Sequence, residues 1–470
     1  MPICRIFGPK ANFSAQRTAG DWAVSCATFP RAGATWHYSR MEPLTPGAFN
    51  PLARLREQAS ARANAGLRRR LVPRRHTPSG SPPLDLASND YLGLAGDPRL
   101  AQASARAARA WGTGATGSRL VTGTTALHEE LEAELADFTG APSALVFSSG
   151  YLANLAAVTA LAAALAAPRG VRVGHSVGDT PFALPGESSD GVLIVSDAGN
   201  HASLIDGCRL AKAPGARLQV TPHGDLAAVE QALRCRAEQA AIVITDAVFS
   251  VSGDLAPVAQ LHALARAHGA ILLIDEAHSF GVLGTGGRGT GYDAGLAAQP
   301  DLVRTVTLSK ALSGQGGAVL GADLVRQTLI DTGRGFIFDT GLAPPAAGAA
   351  LAALGILRDS PDLPEHARRN TTQLAAIAAE LGLAATTPDA AVTSVILGAP
   401  RAAVDAQRIC GEHGVSVGCF RPPSVRADQA CLRLTGRATL TEIDLATASR
   451  ALAAVRDHSR IPEKSGGRAP

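Results

Sequence analysis

Apolar positions along this chain fall into short unbroken runs that alternate with stretches of helical periodicity. Residues 144–147, 193–195, 241–245, 270–274 and 302–308 are such runs, the last interrupted by Arg304, Thr305 and Thr307. Each has strand length and lacks the polar alternation of a half-exposed strand, so each reads as a strand covered on both faces. Between and before them, residues 101–111, 128–138 and 257–268, and a stretch beginning at Leu152, carry helical spacing. Strands alternating with helices predict an α/β fold with a mostly parallel central sheet flanked by helices. Polar residues gather just after the strands' carboxyl ends, where open sheets of this kind place their sites.

Outside this rhythm the pattern changes. Residues 1–45 mix Pro, Gly, Trp and charge without periodicity, and are expected to be a disordered extension, with Met41 an alternative start. The N-terminal segment 46–85 contains a helix over 52–71, with Leu52, Leu55, Ala59, Ala63 and Leu67 near one face. A short strand opens residues 84–94 and leads into the polar turn Ser88-Asn89-Asp90-Tyr91. The large α/β domain is expected over 86–335, interrupted by a Pro/Gly/Ser-rich surface loop at 168–190. An Ala/Leu helix at 344–358 is placed to link two domains, and short strands at 392–397, 415–417 and 431–435 predict a smaller α+β domain over 336–456. Residues 457–470 read as a flexible tail.

Composition adds limits. A chain of 470 residues, 46% hydrophobic and 18% charged, is ordinary for a soluble globular enzyme. The net charge of +4 is uneven, because residues 1–84 hold 13 Lys/Arg against three Asp/Glu. These arginines lack the interleaved aromatics of a single-strand binder, so no nucleic-acid partner is expected. The longest apolar run, residues 152–167, is alanine-rich and broken by Asn154 and Thr159, so no membrane partner is expected either. Seven scattered cysteines without CxxC or Cys/His metal spacing point to reduced thiols in the cytoplasm and to no metal site.

Candidate chemistry centres on Lys310, one of only four lysines, set between the run 302–308 and the Gly-rich turn Gly314-Gln315-Gly316-Gly317. A lysine in such a desolvated position loses its proton readily and can form a Schiff base. Other strand ends carry His201, Ser250, Asp275 with His278, and Thr307. Lysine, carboxylate and aromatic or hydroxyl donors together are what pyridoxal phosphate chemistry needs. The turn Ser148-Ser149-Gly150-Tyr151, between a strand and a helix, is built to hold a phosphate. Gly112-Thr113-Gly114-Ala115-Thr116-Gly117 matches GxGxxG, but a helix rather than a strand precedes it, which excludes a dinucleotide fingerprint and leaves a substrate loop.

The chain resembles the α-oxoamine synthase family of fold-type I pyridoxal phosphate-dependent transferases. The resemblance rests on Ser88-Asn89-Asp90-Tyr91-Leu92-Gly93-Leu94, Ser149-Gly150-Tyr151, Asn200-His201-Ala202-Ser203-Leu204, Val248-Phe249-Ser250, Asp275-Glu276-Ala277-His278, Thr307-Leu308-Ser309-Lys310 and Arg421-Pro422-Pro423-Ser424. It implies that Lys310 is the Schiff-base lysine and proton acceptor, Asp275 the partner of the pyridine nitrogen, and His201 the residue stacked on the ring. Ser250 and His278 would hold the phenolic oxygen; Gly150, Tyr151 and Thr307 would cradle the phosphate. It further implies a homodimer in which Thr340 reaches the partner's phosphate, with Arg68, Arg421 and Ser424 meeting substrate. The implied reaction is the decarboxylative condensation of L-alanine with a pimeloyl thioester, on coenzyme A or a carrier protein, because Arg421-Pro422-Pro423-Ser424 resembles the loop of members with that substrate pair. A sister synthase using glycine or serine, or a silent homologue acting as a partner subunit, are the alternatives. The chain departs from the family pattern at Ser252 (usually Asp), at Ser279 (usually Gly) and over residues 426–431, where the family has Pro-x-Gly-Thr-x-Arg.

Overall fold

A computed structural model describes residues 50–73, 82–166, 191–212 and 215–460. The expected extension over 1–45, the loop at 168–190 and the part of the expected tail beyond 460 lie outside the described residues, while residues 457–460 of that tail continue the helix Glu442–Arg460. The chain divides into two compact units, Met1–Gln58 and Ala59–Pro470. Of the first, residues 50–58 are described, and 51–58 belong to helix α1 (Pro51–Asn64), which buries no residue. The expected helix over 52–71 therefore stops early. Gly66, at φ +69, turns the chain, and residues 67–73 continue without helical structure.

In the second unit a short strand β1 (Leu84–Leu86) comes first. A seven-stranded sheet follows, from β2 (Ser143–Phe147), β3 (Val192–Asp197), β4 (Ala216–Thr221), β5 (Ala240–Asp246), β6 (Ile271–Asp275), β7 (Leu302–Thr307) and β8 (Gly317–Gly321). Their order is β2-β8-β7-β6-β5-β3-β4. Only β8 runs against its neighbours, β2 and β7, so the sheet is mostly parallel as expected. Strand β4 escaped the search for unbroken apolar runs, because Arg217 and Gln219 break its apolar pattern and it closes the sheet as an edge strand.

Two-sided burial explains the unbroken runs. Along β3, Val192 and Ile194 pack into one apolar cluster with Ala157, Leu161 and Leu204, while Leu193 and Val195 pack into another with Val229 and Leu261. Each such side chain removed from water contributes about 1.5–3 kcal/mol. Helices α2 (Pro98–Trp111) and α3 (Ala126–Thr139) cover part of the sheet together with helix Pro344–Asp359. Helix α4 (Gly150–Ala166) and α5 (Ala202–Ala211) cover the side that buries Ile194 and Leu204. The helix expected to link two domains thus packs its Ala347, Ala350 and Leu354 into the core of the large sheet.

The remaining strands, β9 (Val392–Gly398), β10 (Val415–Phe420) and β11 (Ala430–Thr435), form a second sheet in the order β1-β10-β11-β9. Strand β1 pairs in parallel with β10, Leu86 opposite Val417, so a segment that precedes the large sheet in sequence belongs to the small one. This return brings Asn89 and Tyr91, just after β1, beside β11 and the ends of the large sheet's strands. Among the described residues, no helix is long and apolar enough to cross a membrane.

Candidate active site

Strands β7 and β8 form an antiparallel pair with Thr307 opposite Gly317, and Lys310 lies in the turn between them. Its Nζ is 2.7 Å from Nε2 of His278, whose Nδ1 is 2.5 Å from the Tyr91 hydroxyl. Removal from water lowers the Lys310 amine to about 8; Asp275 pulls the other way, and the Arg433 guanidinium lowers it further. The same burial, with Lys310 and Arg433 close by, holds the His278 ring well below the usual histidine range. Tyr91 is wholly buried, which pushes its hydroxyl far above the usual tyrosine range.

Asp275 ends β6 with its carboxylate buried. Asn154 Nδ2 donates to it at 2.7 Å and the Ala277 N–H at 2.8 Å. Asn154 is itself held by Ser203 (2.8 Å) and by the Thr305 hydroxyl (2.5 Å), so α4, α5 and β7 jointly aim one carboxylate. Asp246, at the end of β5, accepts from the His201 N–H at 3.1 Å. Burial and the nearby Asp275 charge push its carboxyl well above the usual range.

Gly150 opens α4. The first N–H groups of a helix have no intrahelical acceptor, and here they adjoin Thr307, Ser309 and Lys310 around a cavity of about 240 Å³. A Cβ on Gly150 would fall 3.0 Å from the Thr307 Cβ, and one on Gly317 would fall 2.5 Å from the Gly150 backbone. Only glycine lets β8, β7 and the start of α4 come this close.

The fold brings most expected residues together. Ser149, Gly150, Tyr151, His201, Asp275, His278, Thr307 and Lys310 line that cavity. Ser250 and Ser424 line an adjoining cavity of about 450 Å³, which shares His201, His278 and Lys310 with the first. His201 caps α5 and rims both cavities; partial desolvation lowers its pKa. Three expected residues stand apart. Thr340 is exposed and bridges to Ser118. Arg421 spends its guanidinium on main-chain oxygens, donating to Gly66 O at 2.7 Å and Arg68 O at 3.1 Å. Arg68 is exposed on the segment so held. The loop containing Gly112 runs into a one-turn π-helix, Arg119–Gly123, whose Arg119 pairs with buried Glu132 at 2.9 Å.

Sequence reasoning missed Arg433. It sits in β11 and is 4% exposed, and its guanidinium donates to Ser250 O (3.0 Å) and Asn89 Oδ1 (2.6 Å) while lying over the Phe420 ring. Its Nε has no partner among the described residues, and the residue lines the larger cavity. The altered run 426–431 therefore leaves a buried arginine at the cavity two residues past Cys431. A charge inside an otherwise apolar strand was the available signal. Asn154 and Asp246 gave comparable signals, as polar residues in an alanine-rich helix and at a strand end.

Similarity to known proteins agrees with this geometry. The family model for class I and II aminotransferases matches residues 81–452. Serine palmitoyltransferase from S. paucimobilis, solved with bound PLP and myriocin, superposes with a TM-score of 0.74 at 26% identity, over 87% of this chain and 99% of that one. The fold is that of a fold-type I pyridoxal phosphate enzyme. Relatives named 8-amino-7-oxononanoate synthase, from Mycobacterium sp. (strain JLS) and Mycobacterium bovis (strain BCG / Pasteur 1173P2), are each 52% identical, over 89% and 86% of this chain and 100% and 95% of theirs. The solved 8-amino-7-oxononanoate synthase from Francisella tularensis gives a TM-score of 0.62 at 28% identity, covering 80% of this chain and 98% of that one. The chain belongs to the 8-amino-7-oxononanoate synthase family of pyridoxal phosphate-dependent acyltransferases.

Pyridoxal 5′-phosphate is the cofactor, and the cavity residues fit it. They supply an amine whose proton is easily lost, a buried carboxylate aimed by Asn154, and a glycine-made cradle at a helix N-terminus.

Proposed function

We propose that this chain condenses L-alanine with a pimeloyl thioester, releasing carbon dioxide and the thiol carrier to give 8-amino-7-oxononanoate. The observation that carries the reading is the Lys310 amine, held at about 8 by desolvation, hydrogen-bonded to His278 and within reach of the Asp275 charge. Bound pyridoxal phosphate supplies an electron sink for the carbanion formed at the amino acid's α-carbon.

The chain's own residues do the rest. Lys310 would hold the cofactor and then, freed by the incoming amino acid, take the α-proton as a general base poised near neutral pH. Asp275 would face the pyridine nitrogen and His201 the ring. Ser250 and His278 would meet the phenolic oxygen, and the N–H groups of Gly150 and Tyr151 with the Thr307 hydroxyl the phosphate. Arg433 would hold the amino acid's carboxylate. It is a buried cation with an unpartnered Nε at the cavity, and a carboxylate there gains a charge-assisted hydrogen bond while relieving that orphan. Arg421 would latch residues 66–68 beside Phe420 and Ser424, presenting Arg68 to the acyl substrate.

A second copy of the chain would complete the site with its Thr340. What supports this is the exposed position of Thr340 outside both cavities, beside exposed Phe338 and, across the Ser118 bridge, exposed Leu120 and Val121. Free thiols at Cys208, Cys235, Cys410, Cys419 and Cys431 suit a cytoplasmic enzyme. Thiol release measured across a panel of amino acids and acyl thioesters tests the reading. L-Alanine with pimeloyl thioester should give the highest kcat/KM; a clear preference for glycine or serine with another acyl group would move the chain to a sister activity.

A further inference from the structure

The buried hydrogen bonds around Lys310 have a direction that proton counting determines. Below about pH 8 Lys310 is an ammonium, which has no lone pair, so Nε2 of His278 must accept at 2.7 Å. The His278 ring is neutral and carries one proton, which is then on Nδ1 and donates to the Tyr91 oxygen at 2.5 Å. The Tyr91 hydroxyl keeps its proton, because burial raises its pKa far above neutrality. That proton has one acceptor left, Asn89 Oδ1 at 3.2 Å. The same Oδ1 accepts from the Arg433 guanidinium at 2.6 Å, and since a guanidinium only donates, this atom is an oxygen.

Donation therefore runs from Lys310 to His278 to Tyr91 to Asn89. An oxygen anion facing Nε2 requires the opposite sense: Nε2 must donate, Nδ1 must accept, and the Tyr91 hydroxyl must swing from Asn89 to Nδ1. Tyr91 can serve both states because it touches both acceptors.

We infer that Tyr91 is a positioning residue whose hydroxyl reverses between Asn89 and His278, letting His278 accept from the Lys310 ammonium when the site is empty and donate to the cofactor's phenolic oxygen when it is filled. The ring stays neutral in both states, and no proton is gained or lost by Tyr91. This rests on the proposed contact between His278 and that oxygen. The other charged or titratable groups that face Lys310 and His278 are Asp275, Asp246, His201 and Arg433; none contacts Nδ1, so the tautomer is left to Tyr91.

Tyr91→Phe tests it with two readouts of opposite sign. In the full chain without cofactor, the pH midpoint for acylation of Lys310, followed lysine by lysine by mass spectrometry, should fall by about one unit, because Nδ1–H loses its acceptor and the ammonium loses support. In the cofactor-loaded chain, the pH midpoint of the cofactor's visible absorbance should rise by about one unit, because the phenolic oxygen loses its donor. Unchanged midpoints in a variant that melts like wild type would reduce Tyr91 to packing and overturn the inference, as would two shifts of the same sign. In the unsubstituted chain, nitrogen-15 histidine resonances should show the His278 proton moving from Nδ1 to Nε2 on loading; one tautomer in both states overturns the inference even if the variant misfolds. A wild-type chain that takes up no cofactor would instead defeat the proposed function, which keeps the two failures distinct.

Discussion

His278, after β6, and His223, after the edge strand β4, line one cavity, and their surroundings push them in opposite directions. His278 lies on the floor, 6% exposed, with a lysine and an arginine near it and no carboxylate in contact. His223 lies on the rim, with Nδ1 2.9 Å from Asp197 and Nε2 2.8 Å from Asp254, and those two hydrogen bonds raise it to about 10. The floor keeps a neutral ring whose two nitrogens meet Lys310 and Tyr91. The rim keeps a permanent cation that ties the turn after β3, leading to His201, to the turn after β5, which holds Ser250. One residue type does two jobs because desolvation rules in one place and paired carboxylates rule in the other.

The largest test of this contrast removes the floor's reactive group. Lys310→Ala should lower condensation by about 10³-fold or more and abolish the absorbance of the lysine–cofactor Schiff base, since attachment and proton abstraction are both lost. Turnover surviving in a variant without that Schiff base would place the chemistry elsewhere. A smaller effect is expected from Arg433→Ala. Loss of a charge-assisted hydrogen bond costs about 1.5–3 kcal/mol, so KM for the amino acid should rise by roughly tenfold to a hundredfold, with KM for the thioester little changed. A rise confined to the thioester would reassign Arg433 to the acyl group.

The smallest effects are pH slopes of stability, and they should have opposite signs. The His223 pKa is raised on folding, so its contribution is full below about 6.5 and is lost as pH climbs toward about 10. His223→Ala should flatten the alkaline fall in urea midpoint across that window. The effect is modest, because the side chain is 44% exposed and water screens its pairs. The His278 pKa is depressed on folding, so the unfolded chain takes up a proton that the native ring refuses as pH drops below 6.5. His278→Asn should flatten the acid fall and leave the alkaline one alone. Equal slopes in both variants would erase the distinction between floor and rim.

Much of the site could be read along the chain. Lys310, Asp275, His278, His201 and Thr307 each lie at or just after the end of a strand-length run, and a parallel sheet delivers such positions to one edge, so their meeting followed from strand counting alone. Gly150 was legible because a strand-to-helix turn needs small residues where an anion is to approach. Strand β4 was not, since an edge strand buries only part of its surface and tolerates Arg217 and Gln219. Arg421 read as a substrate contact, yet its guanidinium is committed to Gly66 O and Arg68 O. A sequence motif identifies a loop without saying which way its side chains turn.

Lys310 and its turn, the parallel sheet and the family were determined by the sequence itself, because periodicity and residue chemistry are local properties that survive without coordinates. The tertiary structure alone decided that β1 joins the small sheet, and so that Asn89, Tyr91 and Arg433 converge on His278 from segments more than 150 residues away in the chain. It also decided that His278 stays neutral while His223 stays charged. Both outcomes depend on burial and on the sign of neighbouring charges, quantities that exist only once distant segments share the same few ångströms of space.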